Sequence, residues 1–339
     1  MQEKNNLISF LQAFGILLVV VGHSDQGASS PLLLHTWIYS FHMPLFMFIS
    51  GFLWGYGSEK KHVPLSAQPL YGRKGFIWKK VKRLLIPYVA LSTLTFLPKA
   101  LFNRFAVRPV EVSFESFFHQ LVYPGDNVIV YFWFLPTLFV IFLMVMYGVR
   151  LFRRFDSREG HAAVLLVALL LHLFNPAAGI RLLNLGGVIG YLFYFLLGYY
   201  CCRYHVEDRF AGNSYVGLGA TLLLSVAFVT FIPSFPGKDV LTACNGIALS
   251  IFLGKVYLVR RAGFLDHLYG ASYAIYLFSW FPQTASQQVF LGITHAPWQV
   301  GAVLAAVTGV YVPWLIYKWI VKHRTERVGR CVAYLTGHS

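Results

Sequence analysis

Charged side chains are scarce in this chain, with only 13 Asp and Glu and 28 Lys and Arg among 339 residues. They make up 12% of it, against about a quarter in an ordinary soluble domain. That is too few to cover a water-soluble surface. No run of twenty or more polar residues marks a second, soluble domain, and no internal repeat is evident. The four cysteines, Cys201, Cys202, Cys244 and Cys331, have no paired spacing, which argues against a disulfide framework or a zinc site. These absences leave an integral membrane protein as the class.

What is present is apolar and aromatic. Hydrophobic residues make up 57% of the chain, including 31 Phe and 20 Tyr. The net charge of +15 would suggest nucleic acid or another polyanion in a soluble protein. Here the cations fall between apolar segments, so the expected contacts are membrane lipids and no nucleic acid.

Spanning the hydrocarbon core takes about 20 apolar residues. Ten such windows lie near 7–24, 33–56, 84–102, 128–149, 162–176, 182–202, 214–232, 240–258, 268–291 and 298–320, the fifth being the shortest. The expected architecture is therefore all-α, a bundle of about ten transmembrane helices in one membrane domain over 1–339. The short polar start carries Glu3 beside Lys4 and a second apolar helix follows soon after, so the first window reads as an uncleaved helix. With the N-terminus inside, 23 of the 28 basic residues fall on the cytoplasmic side. Lys99, Arg104, Arg108, Arg181 and Lys238 remain outside. Lys and Arg favour cytoplasmic loops, so both termini are placed in the cytoplasm.

Two of these segments carry a histidine that lipid would normally exclude. His23 ends Gly15-Ile-Leu-Leu-Val-Val-Val-Gly-His23, and His42 lies in Phe41-His-Met-Pro-Leu-Phe-Met-Phe-Ile-Ser-Gly51. Ionisable groups in such segments usually face a bundle interior or a wet cavity and have a partner. Gln12 precedes His23 by eleven residues, roughly three turns and 16 Å, which puts both on one stripe. Asp25 stands where it could orient or charge the imidazole. The plainer reading of His23 is a helix-end residue in interfacial water, and of His42 a structural histidine bonded to a neighbouring helix. Pro44 is expected to loosen the backbone beside His42 by removing one helical hydrogen bond. The stretch Trp78-Lys-Lys-Val-Lys-Arg-Leu-Leu-Ile-Pro-Tyr88 puts four cations at the foot of the third window. Such clusters anchor helices against anionic lipid, and they also suit a phosphate-rich ligand. Tyr131–Phe139 and Gly270–Trp280 are aromatic patches, of a kind more often packing than site.

Taken in order, Gly15–His23, Phe41–Gly51, Arg83-Leu-Leu-Ile-Pro-Tyr88, Trp133-Phe-Leu-Pro136, Phe195-Leu-Leu-Gly198 and Ser272-Tyr-Ala-Ile-Tyr-Leu277 resemble the membrane acyltransferase-3 family, especially its fucose 4-O-acetylase-like branch. The resemblance spans roughly residues 7 to 320. It implies ten membrane helices and transfer of an acyl group, commonly acetyl from acetyl-CoA, to a hydroxyl of a sugar or lipid-linked glycan in a bacterial inner membrane. It implies no metal. The resemblance implies His23 as catalytic and Lys80 and Arg83 as serving the acyl-CoA donor or activity; by position, His42 is expected to share the catalytic site and Trp133 the donor site. Gln12, Asp25, Ser272 and Tyr273 are expected to shape or support the chamber. Two positions depart from the pattern, since Gln12 stands where an Arg or Lys is usual and Ser279 where many members have His. A glycan or lipid transporter or flippase using a His23 and His42 cavity is the alternative, and self-association is left open.

Overall fold

The computed structural model describes residues 2–24, 32–101, 113–151, 156–210, 212–287, 291–294 and 297–338. It is helical throughout, with no strand among the described residues. In chain order the helices are α1 (Gln2–Gly22), α2 (Leu33–Tyr39), α3 (His42–Lys61), α4 (Phe76–Lys80), α5 (Ile86–Leu101), α6 (Phe114–Val122), α7 (Phe134–Leu151) and α8 (Arg158–Leu173). They continue with α9 (Leu185–Arg203), α10 (Ser214–Thr230), α11 (Lys238–Arg260), α12 (Ser272–Phe278), α13 (Trp280–Ala285), α14 (Leu291–Thr294), α15 (Trp298–His323) and α16 (Arg327–Leu335). A π-helical turn, Val81–Leu85, joins α4 to α5.

Among the described residues, six helical stretches are long and apolar enough to cross a membrane: Lys4–Gly22, Leu33–Lys61, Val130–Leu151, Leu182–Arg203, Lys238–Arg260 and Trp298–His323. The segments expected at 84–102, 162–176 and 214–232 are helices of 16, 16 and 17 residues. The one expected at 268–291 is broken, with α12 giving way to α13 at Ser279 and residues 288–290 lying outside the described set.

The chain forms two compact units, Met1–Gly57 with Tyr194–Trp319, and Ser58–Phe193 with Ile320–Ser339. In the first, α1 packs against α2, α11 and α12. Its core is apolar and fully enclosed, with Ile16, Phe41, Leu45, Phe195, Leu277 and Ala305 all at 0% exposure. At the foot of α1, Lys4 Nζ lies 2.9 Å from Glu207 Oε1 and donates to the Cys202 carbonyl. Small residues let α3 and α9 touch backbone to backbone. A Cβ on Gly51 would stand 1.8 Å from the Phe195 carbonyl oxygen, and one on Gly198 would stand 1.9 Å from that of Phe48.

In the second unit, α7 packs on the π turn, and α6 and α16 pack on α5. The Tyr88 hydroxyl donates to the Gln120 carbonyl at 2.9 Å, and Asn127 Nδ2 donates to Ser92 Oγ at 2.8 Å. These buried polar pairs tie α5 to α6 and to the segment that follows it.

The glycine crossing is testable. Gly51→Ala should cost about 1–3 kcal/mol, since an atom forced into a packed contact displaces the backbone. Gly57→Ala, with nothing within 4 Å of its Cβ, should leave stability unchanged or raise it. Thermal unfolding of the detergent-purified variants separates the two. Equal melting temperatures would refute the close crossing.

Candidate active site

The end of α1 and the turn between α2 and α3 bring His23, His35, Tyr39 and His42 together. Tyr39 is the hub. Its hydroxyl is 3.0 Å from His23 Nδ1, and the two rings meet edge to face at 5.8 Å and 79°. His35, one turn earlier on α2, stacks on Tyr39 at 4.0 Å and 10°. His42 meets it at 4.8 Å and 61°. Tyr39 is exposed, His23 and His35 are half-buried, and His42 is 4% exposed. The cluster thus runs from an open rim to a closed floor.

The tautomer of His42 follows from its partner. Nδ1 lies 2.9 Å from the Ile38 carbonyl, an acceptor, so Nδ1 carries the hydrogen and the neutral ring keeps its lone pair on Nε2. The bond is to the preceding turn of its own segment, whereas a structural histidine would be expected to bond a neighbouring helix. Residues 33–61 form one helical stretch, and Ser40 keeps helical backbone angles. Pro44 lacks the amide that would bond the Ser40 carbonyl, and the regular pattern lapses at Ser40–Phe41, as a loosened backbone requires.

His23 sits one residue beyond α1, and its amide still donates to the Val19 carbonyl at 3.1 Å. The next residue is pinned. Ser24 Oγ donates to the Val20 carbonyl at 2.7 Å. Gln283 Nε2 reaches the same carbonyl at 2.8 Å and Ser24 Oγ at 3.0 Å. Gln287 Nε2 donates to the Ser24 carbonyl at 2.9 Å. A helix end leaves carbonyls without internal partners, and two glutamines supply donors here. The backbone below His23 is therefore held by side chains from α13 and the turn after it.

The other expected residues divide. Gln12 is half-buried on α1, and Asp25 lies outside the described residues. Ser272 is 7% exposed, and its Oγ has no hydrogen-bond partner among the described residues. Tyr273 stacks on Tyr276 at 6.5 Å. Ser279, 1% exposed, marks the break between α12 and α13.

Lys80, Arg83 and Trp133 belong to the other unit. Lys80 is half-buried with Nζ 3.3 Å above the Phe142 ring and 5.3 Å from the centre of Phe76. Burial first, then the charges of Arg83 and Lys61, lower its pKa to about 7. Arg83 is exposed. Three residues apart on an α-helix they would share a face. The wider π turn swings them apart, one inward against an aromatic ring and one to solvent. His338 lies close enough to Arg83 for that charge to add to burial in lowering its pKa to about 4. Trp133 stacks on Tyr191 at 5.4 Å and 18°.

His205, Glu207 and Asp208 bring ligand atoms within 4.8 Å of one another. Of these, Glu207 is already paired with the Lys4 ammonium at 2.9 Å. Sequence reasoning missed Tyr39, His35, Gln283 and Gln287. The spacing was visible for two of them, since His35, Tyr39 and His42 follow one another at four and three residues.

A family model described as an acyltransferase domain, acyltransferase-3, matches residues 5–318. No curated protein and no solved structure matches.

Lys80 makes stability depend on pH. Its folded pKa is below its ordinary value, so between about pH 7 and 10 the unfolded chain holds more protons and stability rises with pH. Lys80→Met should flatten that rise in melting temperature. An unchanged slope would show that Lys80 titrates normally.

Proposed function

Because the chain belongs to the acyltransferase-3 family of membrane acyltransferases, we propose that it is an O-acyltransferase of the fucose 4-O-acetylase-like branch. It moves an acyl group, acetyl above others, from acyl-CoA to a hydroxyl of a sugar or lipid-linked glycan. The observation that carries this reading is the contact between His23 Nδ1 and the Tyr39 hydroxyl at the rim of a histidine cluster. A second-residue hydrogen bond of this kind sets which imidazole nitrogen can act as a base.

The reactive tautomer is the one that donates Nδ1–H to Tyr39 Oη, which leaves the lone pair of His23 on Nε2. Nε2 takes the proton of the acceptor hydroxyl as its oxygen attacks the thioester carbonyl carbon. The tetrahedral adduct collapses with cleavage of the C–S bond, and His23 returns the proton to the departing CoA thiolate. Tyr39 holds the ring in place and stabilises the imidazolium formed midway. General-base assistance of this type is worth ~10²–10⁴-fold. His42 stands beside it as the second imidazole with a lone pair on Nε2.

Lys80 and Arg83 fit the phosphates of the donor, Arg83 as a permanent charge and Lys80 as a charge that is present below about pH 7. The placement of 23 of 28 basic residues on one side supports cytoplasmic termini and an even number of crossings. Ten crossings and a bacterial inner membrane rest on the apolar windows and the family resemblance.

Purified protein in nanodiscs with radiolabelled acetyl-CoA tests the reading. CoA release should be abolished in His23→Ala and fall about 10–100-fold in Tyr39→Phe, which keeps the ring and loses the hydrogen bond. Release that persists in folded His23→Ala would remove His23 from the chemistry. Glycan movement without any need for acyl-CoA would indicate a transporter. Donor affinity should weaken from pH 6 to 8 as Lys80 loses its charge, and Lys80→Arg should abolish that dependence. A pH-independent affinity in the wild type would exclude Lys80 from the donor site.

A further inference from the structure

Beside the foot of α1, at the end opposite His23, a cleft of about 660 Å³ opens against the C-terminal end of α11 and the loop that follows it. Its polar lining is Asn6, Lys255, Tyr257, Arg261, Asp266 and Tyr269. The volume is that of a small-molecule site. Lys255, which lines the cleft, is only 5% exposed. The Tyr269 hydroxyl is enclosed beside the Asp266 carboxylate and the Tyr257 hydroxyl.

The walls are built in advance. The Tyr257 hydroxyl donates to Asp266 Oδ1 at 2.9 Å and accepts from the Leu265 amide at 2.8 Å. That one side chain fixes both the carboxylate and the backbone of the loop. Arg261 caps α11 in the left-handed region at φ 49°, a conformation that costs a non-glycine residue about 1 kcal/mol. This cap carries the chain out of the helix and places Arg261 in the cleft lining.

We propose that this cleft binds a phosphate ester bearing a hydrogen-bond donor a few atoms from phosphorus. Lys255 and Arg261 supply two positive charges, and the Tyr269 hydroxyl and Asn6 amide supply neutral donors. Asp266 is the one acceptor of negative charge, and a bare phosphate would be repelled by it. A neighbouring hydroxyl or ammonium on the ligand meets Asp266 and turns that repulsion into selection. A nucleotide ribose phosphate and an ethanolamine phospholipid headgroup both have this chemistry. This cleft is distinct from the donor site proposed at Lys80 and Arg83, and all titrations use protein carrying Lys80→Gln and Arg83→Gln so that donor binding does not enter.

Calorimetry on the full chain in phosphatidylcholine nanodiscs tests this with three probes: adenosine 3′,5′-bisphosphate, inorganic pyrophosphate and short-chain phosphatidylethanolamine. Arg261→Asn suits the left-handed cap and keeps the fold, and Tyr269→Phe removes only the hydroxyl. Each should weaken binding at least tenfold, whereas Lys238→Gln at the far end of α11 should not. Tighter binding of the bisphosphate identifies a soluble ligand, and tighter binding of the phospholipid identifies a headgroup. Pyrophosphate should bind worst, and Asp266→Asn should narrow that gap. No saturable binding by any probe, or binding that survives both Arg261→Asn and Tyr269→Phe, overturns the proposal.

Discussion

Backbone contact between α3 and α9 fixes where the histidine cluster can be. Phe48, Gly51 and Gly55 on α3 face Phe195, Gly198 and Cys202 on α9, and the two carbonyl oxygens of Phe48 and Phe195 occupy the space that side chains would fill. Apolar area does little to hold helices together in lipid, so contact at this range and interhelical packing do more of it. His42 precedes Gly51 by nine residues on the same rigid rod, about 13 Å along its axis. Trp54 extends the seam by lying over Phe195 and Tyr199, at 5.8 and 5.3 Å. A shift of α3 along α9 would carry the floor of the cluster with it.

The helical character and most of the apolar segments were legible because hydropathy and helix length obey the same constraint. The lapses within them were less so. Residues 33–56 read as one segment, and 33–61 is one helical stretch whose regular pattern lapses only at Ser40–Phe41. Pro44 was the visible marker, because it lacks the amide that would reach Ser40. The segment 268–291 hid a similar lapse at Ser279, between α12 and α13.

Of the site, the histidines were legible by their cost in an apolar segment, and Tyr39 was not, because an aromatic in such a sequence is usually packing. What distinguishes Tyr39 is its placement in space, within reach of three imidazoles. Gln283 and Gln287 were hidden for a different reason. Their partners are the carbonyls of Val20 and Ser24 and the Ser24 hydroxyl, some 260 residues earlier, and no local pattern records such a bond.

The π turn at Val81–Leu85 has a further implication for how this chain tolerates change. A π turn amounts to one residue inserted into an α-helix. Its removal would restore regular winding and rotate everything before it by about 100° relative to everything after it. A one-residue deletion there would thus exchange the inward and outward roles of neighbouring cations without altering any side chain. Length variation at this turn is a more drastic alteration of the basic foot than most substitutions within it.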